Sequence, residues 1–359
     1  MMEQLCDRME WMPVLVLNVH SRCNCRCVMC DIWKRQTSQE LRVSDLELHR
    51  DACRRLSVRW VVFSGGEPLL HSDLRALCNL FRQDGIRLTL LTTGLLLAKR
   101  AEAVAELFDD VIISLDGPED VHDAIRRVNG AFKLIVEGIA AVRRNRPDMR
   151  IAGRMTVQKA NHLRLVDTVA SAKQMGMDSL SFLAADLTSE AFNRPLQWSP
   201  SRQSEVALNS EEVDGLDGEI KRLIRTREDE IQTGYIVESA AKLRRITTHF
   251  RAHLGQAVEH SPVCNAPWRS AVIEADGSVR PCFFHPAIGN LRDATLDVVL
   301  NSEKAREFRG GLDIASNPIC RHCVCSLNCP GQSHGDSETS HNEVETDKRG
   351  DRIQPLRQL

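Results

Sequence analysis

The chain has 359 residues, 42% hydrophobic and 27% charged, enough to bury one large core or two smaller ones at roughly 100–200 residues per domain, which excludes a disordered chain or a mini-protein. Forty-seven Lys plus Arg against 49 Asp plus Glu leave a formal charge of −2, so no net field draws the chain to nucleic acid or an anionic membrane. The apolar runs at 14–17 and 88–91 are far shorter than the roughly 20 residues a bilayer requires, and the start lacks a signal-peptide layout, which points to a cytoplasmic protein with no membrane segment.

From residue 14 onward, short β-branched runs alternate with helix-like stretches, the pattern of repeated βα units around a parallel sheet. Six runs are nearly continuous in apolar character: 14–19, 60–63, 87–92, 111–115, 150–157 and 179–184. Ser44-Asp45-Leu46-Glu47 reads as a capping box opening the first helix, and Leu134, Ile135, Gly138, Ile139 and Val142 mark an apolar helical face. Six units are too few for a closed eight-stranded barrel, so the expected fold is α/β, a partial (β/α)6 barrel over residues 1–190. A Pro/Ser-containing stretch (Pro195, Pro200, Ser201) then leads into a charged helical bridge over 191–259. A small cysteine-rich, hairpin-containing domain follows over 260–330, and 331–359 has the polar composition of a disordered tail.

The 13 cysteines are clustered: four between Cys23 and Cys30, six between Cys264 and Cys329, with Cys6, Cys53 and Cys78 standing alone. In a cytosolic chain this favours metal binding or redox chemistry over disulfides. Cys53 and Cys78 fall on helix-like stretches and read as buried structural thiols, and His20 and His71 as packing or loop residues. Cys23, Cys27 and Cys30 follow the first strand with three residues, then two, between them. Three thiolates on one loop can hold three irons of a [4Fe–4S] cube and leave the fourth open, provided Cys25 points away; a zinc site built from any four of these cysteines is the alternative.

The CX3CX2C loop resembles the signature of the radical S-adenosylmethionine (SAM) superfamily, and further motifs of that family follow in order. Gly65-Gly66-Glu67-Pro68, after the second strand, is similar to the family's GGEP motif, which implies contact with the SAM amino group, with Glu67 a possible acceptor for the ammonium. Thr92-Thr93-Gly94 stands where relatives often carry Asn-Gly. Ser114-Leu115-Asp116-Gly117 and Arg126 follow the fourth strand; the resemblance implies that Ser114 and Arg126 take the SAM carboxylate, with Asp116 in the same cofactor-binding group. Arg154 and Leu187 are secondary candidates for SAM positioning and adenine contact. Taken alone, each motif also reads as a strand-to-helix turn or a solvated helix face.

In the C-terminal unit, Asp276-Gly277 between short apolar runs predicts a hairpin that returns Cys282 toward Cys264, and Cys320 and Cys323 add a CX2C pair. Four thiolates suit a zinc ribbon or an iron–sulfur cluster. The order Cys264, Gly277, Cys282, Cys320, Cys323, Cys329 resembles the SPASM and twitch auxiliary-cluster domains of radical SAM enzymes, although Ser333 stands where the next Cys should be. The resemblance implies one auxiliary [4Fe–4S] cluster on Cys264, Cys282, Cys320 and Cys323, with Cys325 or Cys329 able to replace one of the four.

It further implies reductive cleavage of SAM to a 5′-deoxyadenosyl radical, hydrogen-atom abstraction from a substrate, and a reductant such as flavodoxin or ferredoxin. Two substrate classes compete: a sugar- or polyol-like small molecule undergoing dehydrogenation, and a peptide presented by a separate recognition protein, since no N-terminal peptide-recognition domain precedes the first strand. No catalytic base is assigned; Asp186 and Glu190 read as solvated loop carboxylates. The non-enzymatic alternative is an iron–sulfur or zinc protein with four protein ligands at the first group, which leaves the ordered strand-end motifs unexplained.

Overall fold

Alternation along the first strands decides which face of the sheet each residue serves. In the computed structural model, which describes residues 7–194 and 198–329, β1 (Val14–His20) sends Leu15, Leu17 and Val19 into the large core under the helices and Val14 and Val16 to the opposite face. β2 (Trp60–Gly65) repeats the pattern, with Val61 and Phe63 in the large core and Trp60 and Val62 opposite. β3 (Arg87–Thr92), β4 (Asp110–Ser114), β5 (Arg150–Val157) and β6 (Ser179–Ala184) complete six parallel strands, covered on both faces as their apolar runs require. The expected tail at 331–359, with Ser333, and also Cys6 and Pro195, lie outside the described residues.

The strand order is β6-β5-β4-β3-β2-β1-β7-β8-β9, an open sheet consistent with a partial barrel. β7 (Ser270–Ile273) pairs in parallel with β1, and β8 (Ser278–Arg280) and β9 (Gly289–Asn290) follow antiparallel, so the hairpin around Asp276-Gly277 extends the barrel sheet beyond β1. The sequence did not show this junction, because strand pairing between distant segments leaves no local periodicity. Strand ends shift for a related reason: β2 continues past residue 63 because Ser64 and Gly65 still pair with Asn18 and His20, although neither is apolar.

The intervening helices are α1 (Val43–Glu47), α2 (Arg50–Arg55), α3 (Leu74–Arg82), α4 (Leu97–Leu107), α5 (Glu119–Arg126), α6 (Ala131–Asn145) and α7 (Leu165–Gln174); α8 (Pro200–Gln203), α9 (Ser210–Thr226), α10 (Glu228–Gln232) and α11 (Ala240–His253) follow β6. The capping box expected at Ser44 sits two residues earlier: α1 starts at Val43, and the Asp45 carboxylate accepts from the Arg42 backbone N–H at 2.8 Å. In α6, Ile135, Gly138, Ile139 and Val142 are buried as the spacing predicts, but Leu134 is 36% exposed, one step off the apolar stripe. Cys53 and Cys78 are buried on α2 and α3. His71 is buried with Nε2 2.7 Å from the Leu41 carbonyl, and the Nδ1 of His20 accepts from the Arg22 backbone N–H at 2.9 Å.

A second, smaller cluster forms on the inner face, where Val14, Val16, Trp60 and Val62 meet Ala266, Val272, Leu327 and Cys329 from the C-terminal unit. The cysteine-rich segment thus supplies apolar cover for the barrel interior. The buried Trp60 indole N–H is satisfied by Thr89 Oγ1 at 2.8 Å. No helix among the described residues is long and apolar enough to cross a membrane.

Candidate functional site

The first cysteine loop is held through its backbone by three neighbouring segments. Two carbonyls at the end of α5, left without partners in the helix, accept from the loop: Arg26 N–H donates to Arg126 O at 3.1 Å and Val28 N–H to Ile125 O at 3.0 Å. From the turn after β2, Gly66 N–H donates to His20 O at 2.7 Å and Glu67 N–H to Arg22 O at 2.8 Å. From the segment after β6, Arg194 donates to Met29 O at 3.1 Å, Arg202 donates to Val28 O, and Asn193 Nδ2 donates to Asp31 O at 3.0 Å.

Both glycines of the pair are sterically required. Gly65 has φ +119°, and a Cβ on Gly66 would lie 2.0 Å from the Arg22 carbonyl oxygen, which is backbone and cannot swing aside. Gly66→Ala is therefore expected to destabilise the apoprotein by at least about 1–3 kcal/mol and to lower iron uptake at the first loop, checked by the urea midpoint and by iron per chain. A midpoint equal to that of the parent would show that the loop does not need this close approach.

Glu67 departs from its expected place as a ligand acceptor. It is fully buried, does not line the cavity, and accepts from Leu69 N–H, Thr92 Oγ1, Thr93 N–H and Thr93 Oγ1 at 2.7–3.0 Å. Burial pushes its carboxyl above the usual range, against these donors. Thr93 Oγ1 in turn lies 2.9 Å from Asn24 Oδ1, so Glu67 reaches the cysteine loop through Thr93. Pro68 opens a short 3-10 turn and is likewise buried outside the cavity.

Cys23, Cys27 and Cys30 line one cavity of about 300 Å³, within the range of small-molecule sites, while Cys25 is turned into protein with 1% of its surface exposed. The Cys25 thiol is held above its usual pKa by its contacts with Cys23 and Cys27 and by burial. Its hydrogen bond to Cys27, together with Arg126 and against desolvation, lowers the Cys27 thiol to about 6; burial raises Cys30 to about 12. Ser114 lines the same cavity at the end of β4. Arg126 lines it too, paired to Asp116 at 2.6 Å and 3.4 Å from Cys27 Sγ, with its buried Nε unpartnered. Asp116 is fully buried, with Oδ1 accepting from Thr156 N–H at 3.0 Å, so it braces Arg126 and does not itself reach the cavity.

Arg154 faces the cavity and donates from Nε to Ser181 Oγ at 3.1 Å; burial lowers its pKa. Leu187, the adenine candidate, is buried in the large core and is not part of the cavity wall. Asp186 was expected to be solvated. Instead it is buried on the cavity wall and pairs with Arg194 at 2.8 Å, the guanidinium stacking 3.7 Å over Trp198. Sequence reasoning missed this pair because its partner is supplied by an irregular segment without periodicity. Glu190 is exposed, as expected.

The same cavity is also lined by Cys264, Cys282, Cys323 and Cys325, and a smaller adjoining cavity by Cys264, Cys282, Cys320 and Cys323 together with His285. The expected four thiols are thus brought together around one space. Cys329 is buried in the inner-face cluster beside them, its backbone fixed to Asn265, and Cys325 faces the central cavity. Among the described residues no three Cys, His, Asp or Glu side chains converge as a single metal ion requires. Thiols spread around the wall of a cavity suit a polynuclear cluster, whose ligands attach to different irons. The unpartnered Arg126 Nε beside the first thiols suits a carboxylate-bearing ligand.

Comparison with known proteins agrees with this geometry. Residues 17–178 match the family model of the radical SAM superfamily, and residues 264–324 that of the SPASM iron–sulfur cluster-binding domain. The chain is 31% identical over 170 residues to pre-heme d1 synthase of Dinoroseobacter shibae, covering 46% of this chain and 42% of that protein. It is 24% identical over 330 residues to the AdoMet-dependent heme synthase of Methanosarcina barkeri, covering 86% of this chain and 87% of that protein. The fold is similar to that of Streptococcus suis SuiB bound to S-adenosylmethionine, with TM-score 0.62 and 14% identity, over 90% of this chain and 74% of that one.

Proposed function

The chain is a radical SAM protein with a C-terminal SPASM iron–sulfur domain, and from that premise we propose that it removes a hydrogen atom from a substrate held between two cysteine-bound clusters and passes the resulting electron onward. One observation carries the reading: a single cavity is lined both by Cys23, Cys27 and Cys30 and by Cys264, Cys282 and Cys323. Held at the first thiols with SAM beside it, a [4Fe–4S] cluster would supply the electron for reductive cleavage of SAM, the source of the hydrogen-abstracting radical.

In this reading the chain's own residues bind, orient and exclude water. Cys23, Cys27 and Cys30 would hold the first cluster, and Ser114 and Arg126 would take the SAM carboxylate. The backbone of Gly65 and Gly66 receives its amino group, while Glu67 and Asp116 hold the binding groups in place. Cys264, Cys282, Cys320 and Cys323 would hold the auxiliary cluster, and the described parts of 1–190, 191–259 and 260–330 would be the barrel, the bridge and the cluster domain.

For the substrate, the cavity wall favours an apolar body. Along one stretch Val14, Val16, Val62, Leu91, Ile112 and Val272 offer no hydrogen-bond partners, so a hydroxyl buried there costs roughly 1–3 kcal/mol, while polar partners on the same wall are confined to groups such as Ser64, Thr92, Thr156 and Ser270. A compound with apolar rings and a few polar groups for Arg154 and Arg194 suits this wall better, as does an extended peptide side chain. The names of the heme-synthase relatives favour the ring compound.

The test is anaerobic. Protein reconstituted with iron and sulfide, then given dithionite and SAM, is expected to form 5′-deoxyadenosine slowly without substrate, and faster with a tetrapyrrole carboxylate than with a polyol. No 5′-deoxyadenosine from fully iron-loaded, folded protein would overturn the reading.

A further inference from the structure

The loop that carries Cys320 and Cys323 has little regular structure of its own: a single turn, Pro318–Arg321, capped by Asn317. Its outside tethers are polar. Arg245 on α11 donates to Cys323 O at 3.0 Å, Arg321 Nε donates to Glu259 O at 3.5 Å, and His322 Nδ1 lies 3.2 Å from Glu259 Oε2. All of these meet at or beside one carboxylate. The Glu259 side chain is 2% exposed, whereas that of His322 is 43% exposed.

The other carboxylate oxygen faces inward. Glu259 Oε1 is 3.1 Å from His249 Nδ1 and 3.8 Å from Arg245. His249 Nε2, 3.2 Å from the carbonyl of Ala185, can only donate to it, which fixes the ring between that carbonyl and Glu259. Ala185 directly follows β6, its N–H bonded to Val157 O at 2.9 Å, and the next residue is Asp186 on the cavity wall. A continuous set of polar contacts therefore runs from the end of β6 through His249 and Glu259 to the His322 side chain between Cys320 and Cys323, with Arg245, 3.8 Å from the carboxylate, donating to Cys323 O. A buried carboxylate with three cationic or imidazole partners is costly to maintain unless every partner stays in place, so it holds its neighbours to one geometry.

We propose that Glu259 is the positioning residue of the second cysteine group: its carboxylate ties the Cys320–Cys323 loop to α11 and to the end of β6, and so sets where these thiols stand against the central cavity. The proposal uses the assignment of the thiols to an iron–sulfur cluster only in the second arm of its test.

The first arm is backbone hydrogen exchange on the metal-free full chain. In Glu259→Gln, which keeps the volume and removes the charge, amides at 317–323 are expected to exchange on the order of tenfold faster, as for loss of one charge-assisted hydrogen bond. Amides of α2 and α3 should keep their rates. His322→Gln, which removes the exposed partner and leaves the Glu259–His249 pair, should act on the same amides to a smaller degree. Unchanged exchange at 317–323 in both variants overturns the proposal, and so does equal acceleration in α2 and α3, which would mean general loosening. The second arm reconstitutes Cys23/Cys27/Cys30→Ala protein with iron. There Glu259→Gln is expected to shift the electron paramagnetic resonance of the reduced second cluster while iron per chain is retained, and an identical spectrum overturns the proposal. If the parent shows no iron signal, the cluster assignment fails and the exchange arm still decides the positioning role.

Discussion

Replacing Cys23, Cys27 and Cys30 together by alanine is expected to bring 5′-deoxyadenosine formation down to the background of protein-free controls, and to remove about four irons per reconstituted chain while a second iron–sulfur absorbance remains. The loop itself should survive. It is held by backbone bonds from α5 and the turn after β2, and by Arg194 and Arg202, none of which uses the three thiols as the only anchor. The second group stands on other segments, Cys264 before β7, Cys282 after β8, and the Cys320–Cys323 turn, so its iron should be independent of the first. Iron counting together with product analysis separates the outcomes. Loss of all iron would mean that the two groups form one site, and full 5′-deoxyadenosine formation would remove these thiols from the chemistry. Cys25→Ala is the informative companion: a thiol turned into protein should leave iron at the first loop largely intact, whereas a four-thiol site would lose it.

Much of this arrangement was legible in the sequence because it is written in local patterns. The six parallel strands follow from β-branched runs, the cysteine loop from spacing, and the Asp276-Gly277 hairpin from its turn residues. What remained hidden depends on contacts between distant segments. Nothing local in 270–273 says that Ser270 will face Val14 and extend the barrel sheet. Glu67 illustrates the limit within a motif: spacing locates the residue, but only the fold shows its carboxylate occupied by Thr92 and Thr93 and turned away from the ligand cavity. Asp186 shows the opposite error, a loop carboxylate assumed solvated that Arg194 draws into the wall. In both cases the deciding partner is supplied by another element, 25 residues away for Thr92 and 8 for Arg194.

The pair of Asp116 and Arg126 makes a prediction in which binding and stability can be told apart. Both side chains are buried, at 0% and 8% exposure, and 2.6 Å apart. Desolvation pushes the Asp116 carboxyl up while the guanidinium opposes it, and the Asp116 carboxylate raises Arg126 against the desolvation of its own burial. Arg126→Leu removes the cation and leaves a buried carboxylate uncompensated, which is expected to cost about 3–5 kcal/mol of apoprotein stability at neutral pH. The pH dependence has a definite sign. A carboxyl whose folded pKa is raised binds its proton more tightly when folded, so the variant should be least impaired near and below the ordinary carboxylate range. It should lose stability as pH rises through the raised value, a slope that urea midpoints between pH 4.5 and 8 would show and that should be steeper than in the parent, where the Arg126 guanidinium opposes the same rise. Adding Asp116→Asn should recover most of the stability, because a buried pair replaced on both sides leaves no unpaired charge. SAM affinity should not recover with it: in Arg126→Leu and in the double variant alike, anaerobic binding is expected to be about 10–100-fold weaker, the value of a charged hydrogen bond to a carboxylate. If the double variant regains SAM affinity along with stability, Arg126 serves the fold and some other group holds the carboxylate, with Arg154, on the same cavity wall, the first to examine.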